Sequence, residues 1–266
     1  MRDVRHAVIT AGSKGLGKMV TEELLKKGCS VTVNFRSDLA RINELKEEWK
    51  EYGDRIQFVQ GDVTKKEDIK YIFTQAMERF GRIDYLINNA GPYIAERKKL
   101  VDYTDDEWYE MVEGNLSAVY HFLKLTIPVM RKQKFGRIIT YGFHEAEHAP
   151  GWVYRSAYGA AKVGLVSLTK TVALEEAEHG ITVNMISPGD IVGEMKELNI
   201  QEARKMQDPN TPIGRPGSGE DIARVIAFLC DEDSDMITGS VISVAGGVDV
   251  VNKFRQVQHQ SLNIIE

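Results

Sequence analysis

Thr10-Ala11-Gly12-Ser13-Lys14-Gly15-Leu16-Gly17 lies between a short apolar run, His6 to Thr10, and the start of an amphipathic segment. Glycines at 12, 15 and 17 leave no side chain between the backbone and a ligand. A diphosphate needs that arrangement: exposed backbone N–H groups at the positive end of a helix dipole. Leu16, Val20 and Leu24 recur every four residues, which predicts a helix over 16–27 with one buried face, ended by a left-handed Gly28. The bland alternative is an ordinary tight turn from strand to helix; its place at the start of the chain favours a dinucleotide site.

Strand and helix patterns alternate from there onward. Strands are predicted at 30–35, 55–60, 84–88, 137–141, 182–186 and 240–244. Helices are predicted at 39–52, from the capping box Thr64-Lys65-Lys66-Glu67 to about Phe80, from a second box at Thr104 to near Pro128, at 157–179 and at 219–230. Strands joined by crossover helices pair in parallel and are covered on both faces. The fold class is therefore α/β: a Rossmann-type doubly wound parallel sheet of about seven strands with helices on both faces. Its ligand lies beyond the carboxyl ends of the strands.

Composition narrows the function classes. With 266 residues the chain suits one large domain, residues 1–266, with a loop at about 190–212 and a tail at 248–266. The net charge of −5 with dispersed basic residues argues against a nucleic-acid surface. No apolar run reaches the length of a membrane span. Cys29 and Cys230 sit among apolar neighbours and read as packed thiols of a reducing compartment. A soluble cytoplasmic protein is expected.

Unusual residues fall at the predicted strand ends. After the second strand comes Asn34-Phe35-Arg36. A carboxylate there would bind a ribose 2′-OH, whereas arginine suits a 2′-phosphate. Arg36 and Lys14 thus favour NADP over NAD, the alternative being two solvated surface cations. Asp62 and Val63 follow the third strand; Asp62 either accepts from an adenine amine or makes a turn. Asn88-Asn89-Ala90-Gly91 follows the fourth, where small residues let a ligand lie on the backbone and Asn89 can bridge neighbouring loops.

Tyr158 and Lys162 are the chemical candidates. Four residues apart on a helix, they share one face. A free phenol has a pKa near ~10 and is a poor base at neutral pH. A cation one turn away favours the phenolate, and the phenol can then exchange a proton with a carbonyl or alcohol oxygen.

With the glycine turn, Asn88–Gly91 and the Tyr158/Lys162 pair in order, the chain resembles the short-chain dehydrogenase/reductase family over about residues 5–250. It is similar to the 3-oxoacyl-[acyl-carrier-protein] reductases of that family. The resemblance implies hydride transfer between NADP(H) and a ketone or secondary alcohol, with a substrate that can be carried on acyl carrier protein. It implies that Tyr158 is the acid/base and that Lys162 holds the nicotinamide ribose. It implies that Asn115 holds a water in a proton relay, and that Pro188, Gly189 and Ile191 lie beside the nicotinamide. The loop at 190–212 matches a substrate lid, and a homotetramer built on helices 104–127 and 157–179 is implied.

Two positions depart from the family pattern. Phe143 stands where a serine hydrogen-bonds the substrate oxygen, and phenylalanine cannot donate. His144 is the nearest candidate to replace it. Gly193 stands where the family often has a threonine. These departures motivate an alternative from another class: a dinucleotide-binding sensor or partner protein with weak or lost catalysis.

His144-Glu145-Ala146-Glu147-His148 fits the H-E-x-x-H pattern of zinc sites, but five residues ahead of Pro150-Gly151 make a poor helix, so no metal is expected. His144 or His148 instead lines the substrate site or belongs to a polar loop. Phe143, Trp152 and Tyr154 read either as an apolar pocket wall or as loop packing. The tail is either frayed or an arm on a neighbouring subunit.

Overall fold

The computed structural model describes residues 4–248. Seven strands form one parallel sheet: β1 (His6–Ile9), β2 (Ser30–Phe35), β3 (Ile56–Gln60), β4 (Tyr85–Asn88), β5 (Gly136–Tyr141), β6 (Ile181–Pro188) and β7 (Val241–Val244). Their spatial order is β3-β2-β1-β4-β5-β6-β7. The order reverses between β1 and β4, and a crevice opens at such a switch point.

The helices are α1 (Gly15–Lys26), α2 (Leu39–Glu48), α3 (Lys66–Phe80), α4 (Asp105–Val112), α5 (Ala118–Gln133), α6 (Ser156–Glu176), α7 (Ile200–Ala203) and α8 (Gly219–Leu229). Alternating strand residues supply two cores. Ala7, Ile9, Ile87 and Ile139 meet α1, α2 and α8 through Leu24, Leu45 and Ile226. Val8, Leu86 and Ile138 meet α3, α5 and α6 through Ile72, Phe122 and Leu165. Both faces of the sheet are thus covered, which is why the strands read as apolar runs.

Several boundaries differ from the sequence reading. The second helix ends at Glu48, not at Tyr52, because Trp49 turns into the core and stacks on Phe58 at 6.1 Å. Thr64 does not cap α3: its hydroxyl donates to Asp62 Oδ1 at 2.8 Å, and the cap position passes to Lys65. Pro128 does not end its helix, which continues to Gln133. The predicted long helix is instead interrupted earlier, at Glu113–Ser117, which winds as a π-helix. The Thr104 capping box forms with Glu107, and Gly28 is left-handed with φ of +89°. Residues 249–266, which hold nearly all of the predicted tail, lie outside the described residues.

Candidate active site

A cavity of about 1410 Å³ opens beyond the strand ends at the switch point. Its walls come from the loops after β1, β4, β5 and β6 and from the start of α6. Lys14, Gly15 and Leu16 line one end, and Asn89, Ala90 and Gly91 the middle. Asn115, Tyr158 and Lys162 also line it, as do Pro188, Gly189 and Ile191. Most of the residues chosen from sequence therefore meet in one place.

The residues present fit a dinucleotide. A Cβ on Gly17 would collide with the Ala11 carbonyl and lie 2.6 Å from Asn89 Nδ2. Asn89 Nδ2 donates to the carbonyls of Thr10 at 3.0 Å and Ala11 at 3.2 Å, so it ties the first loop to the fourth. A Cβ on Gly91 would collide with Asn115 Oδ1. The first N–H of α1 already takes an anion, since Gly15 donates to Glu197 Oε1 at 2.7 Å. Gly12 and Ser13 are buried within the turn.

Asn115 owes its position to the π-helix. Its Nδ2 donates to Met111 O at 3.0 Å and Pro92 O at 2.9 Å. Its Oδ1 is buried with no hydrogen-bond partner, aimed at the space beside Gly91. π-bulges often mark functional positions because the widened turn frees one residue from the ordinary ladder.

Tyr158 and Lys162 share a face of α6, but their electrostatics differ from the sequence reading. Lys162 Nζ donates to Tyr141 O at 2.8 Å and lies 5.6 Å from the centre of the Tyr158 ring. Burial pulls the Lys162 pKa down to about 8. Burial also pushes the Tyr158 phenol above its ordinary value, and the Tyr93 phenol adds to that. The expected phenolate is therefore disfavoured here: the rings of Tyr93, Phe143 and Trp152 packed about Tyr158 penalise its charged form.

Phe143 is buried, with its ring 4.9 Å from Trp152 and 6.4 Å from Tyr158. Trp152 and Tyr154 also line the cavity, so the aromatic loop forms a wall. His144 is not on that wall. The chain turns at Glu145, with φ of +61°, and His144 Nδ1 meets Ser243 Oγ on β7 at 3.2 Å. Its assignment as a replacement donor is corrected on that ground. Arg36, Asp62 and Val63 are also off the cavity wall. Asp62 Oδ1 accepts from the N–H of Thr64 at 3.0 Å, a turn role. His144 to His148 forms a bent loop, and among the described residues no group of three or more metal-binding side chains assembles.

Sequence reasoning missed Tyr93 and Arg155. Arg155 Nε donates to Tyr93 Oη at 2.7 Å, and its other nitrogens reach Ala95 O at 3.1 Å and Glu96 O at 2.9 Å. It also donates to Tyr154 O at 3.0 Å, supporting a left-handed residue with φ of +67°. Strain in a bulky residue persists where the surroundings over-determine it. Tyr93 meets Tyr158 edge-to-face at 5.2 Å. The one signal for Tyr93 in the sequence is its place just after Gly91.

The family model described as Enoyl-(Acyl carrier protein) reductase matches residues 10–249. The chain is a short-chain dehydrogenase/reductase. Among members of this family, "Putative oxidoreductase YtkK" of Bacillus subtilis is 68% identical over 251 residues, covering 94% of this chain and 98% of that protein. The 3-oxoacyl-[acyl-carrier-protein] reductase FabG of Haemophilus influenzae is 37% identical over 244 residues, covering 91% and 97%. A solved structure titled "Structure of putative 3-oxoacyl-reductase from bacillus thuringiensis" is 64% identical with a TM-score of 0.88, covering 93% of this chain and 99% of that one.

Proposed function

We propose that this short-chain dehydrogenase/reductase is an NADPH-dependent ketone reductase whose substrate class is the 3-oxoacyl thioester. The observation that carries the reading is the meeting of Tyr158, Lys162 and Asn115 in one cavity with the glycine turn. The bound nicotinamide supplies hydride. Tyr158, a phenol that is protonated at neutral pH, gives its proton to the carbonyl oxygen as negative charge develops there. Lys162, with a pKa of about 8, is suited to return a proton to the phenol. The free Oδ1 of Asn115 can hold the water that links them to solvent. Pro188, Gly189 and Ile191 bound the nicotinamide end, and Lys14 lines the cavity where its charge suits a 2′-phosphate, while Arg36, exposed outside the wall, serves only if its side chain swings toward the bound group.

Phe143 removes one donor from the substrate oxygen, a loss of about 10²–10³ in rate where such a donor acts alone. The sensor alternative rests on that one residue and on Gly193. Gly193 has φ of +54°, which disfavours a β-branched threonine, so its identity follows from backbone conformation. The catalytic set and the relatives' names favour turnover. The aromatic walls Phe143 and Trp152 suit an apolar acyl portion.

We place the enzyme in the cytoplasm as a single-domain homotetramer, with residues 190–212 as its substrate lid. No described helix is long and apolar enough to cross a membrane, and both cysteines are free. Tyr109 and Tyr120 are exposed on α4 and α5, where paired helices would cover them. Light scattering reads the assembly directly. The function is tested by NADPH consumption over simple ketones and 3-oxoacyl thioesters, with NADH beside it. Turnover of thioesters with NADPH, abolished in Tyr158→Phe, is expected. NADPH binding with no turnover, identical in the variant, would overturn the reductase reading.

A further inference from the structure

The N-terminus of α1 has no cap of its own. Lys14 holds the cap position without a side-chain hydrogen bond, and no acid stands in the first turn. The cap comes from 182 residues away, where Glu197 Oε1 accepts from Gly15 N–H at 2.7 Å. Oε2 of the same carboxylate accepts from Arg41 at 3.0 Å and lies 4.0 Å from Lys18 Nζ. Glu197 closes the short turn Gly193–Glu197, which crosses from β6 to the mouth of the groove. Both Lys196 and Glu197 line the cavity beside Gly15 and Leu16.

We propose that Glu197 is a latch seated in the place of the cofactor's diphosphate, and that Arg41 is a phosphate ligand which the latch holds until the cofactor arrives. The inference rests on the dinucleotide reading above. A helix N-terminus with a glycine turn is a phosphate site, and a carboxylate there mimics the anion. One N–H and one guanidinium cannot serve a carboxylate and a diphosphate together, because two anions at that separation repel. The diphosphate carries more charge and more acceptor oxygens than a carboxylate, so it displaces Glu197. Residues 193–197 then move as the cofactor enters. Gly193, at φ of +54°, begins that segment and can absorb the change in backbone angles. Arg41 also pairs with Glu44 at 2.9 Å, a contact that remains after Glu197 leaves.

NADPH and NADH titrations into the full chain, read by protein fluorescence, test the latch. Glu197→Gln is expected to bind both dinucleotides about tenfold more tightly, since both carry the diphosphate and the competing charge is gone. Glu197→Ala is expected to act in the same sense, and Arg41→Ala to weaken both. Without nucleotide, amide exchange over 193–198 is expected to speed up in Glu197→Gln. Unchanged or weaker binding in Glu197→Gln overturns the latch, and tightening for NADPH alone overturns its assignment to the diphosphate. If the folded wild type binds neither dinucleotide, the cofactor reading itself fails. Amide exchange then still decides whether Glu197 pins the segment, and unchanged exchange overturns that too.

Discussion

Lys162 Nζ donates to the carbonyl oxygen of Tyr141 at 2.8 Å, so the ammonium on α6 is anchored to the end of β5 and not to the phenol of Tyr158. That bond sets where the cation stands relative to the cavity. Burial of the amine lowers its pKa to about 8. The pair therefore rests as a neutral phenol beside an ammonium that gives up its proton more readily than a free lysine.

This arrangement has a signature in stability. The folded pKa of Lys162 is depressed from 10.5 to about 8, so between those values the unfolded chain binds the extra proton. Stability from this group is present above the unfolded pKa and is lost as pH falls through the folded value. Relative to Lys162→Met, the wild type should gain up to roughly 3 kcal/mol as pH rises from about 8 to about 10.5. Denaturant unfolding of both proteins across that range checks it. A constant difference between them would remove the buried ammonium from the account.

Phe143→Ser introduces the hydroxyl that the family resemblance leads one to expect at this position, yet it should not rescue rate. The ring is buried against Trp152 and Tyr158, and removing it should cost about 3–5 kcal/mol and loosen the Tyr158 ring. Urea unfolding with ketone turnover reads both effects. A rate gain with unchanged stability would contradict the packing role.

His144→Ala should leave turnover unchanged, because its Nδ1 faces Ser243 on β7. Steady-state kinetics with a reducible ketone decides this. A large fall in kcat with unchanged cofactor affinity would return His144 to the site.

Gly17→Ala puts a methyl group against Ala11 O and within 2.6 Å of Asn89 Nδ2. Overpacking of this kind costs about 1–3 kcal/mol, and here it breaks the tie between the first and fourth loops. Loss of NADPH binding with a lowered melting temperature is expected. Calorimetric titration and thermal unfolding measure the two.

The sheet is legible in the sequence because each of its elements announces itself locally, through apolar runs followed by glycine or asparagine at the strand ends. Gly15, Asn89 and Gly189 follow three of those ends, and the structure gathers them around one cavity with Tyr158. Boundaries are less legible where one side chain has two partners to choose from. Thr64 has the spacing of a cap, but Asp62, two residues away, captures its hydroxyl. His144 is close to the site in sequence because it follows Phe143, yet a left-handed Glu145 swings the loop aside. Arg155 and Glu197 are invisible in the sequence for a different reason. Their meaning lies in Tyr93 and Gly15, contacts that only the folded chain creates.

The most direct measurement is a crystal structure of the protein with NADPH. The diphosphate is expected at the Gly15 and Leu16 backbone, with Glu197 displaced and the nicotinamide facing the Tyr158 hydroxyl with Lys162 on its ribose. A nicotinamide bound away from Tyr158, or a groove that admits no nucleotide, would contradict it.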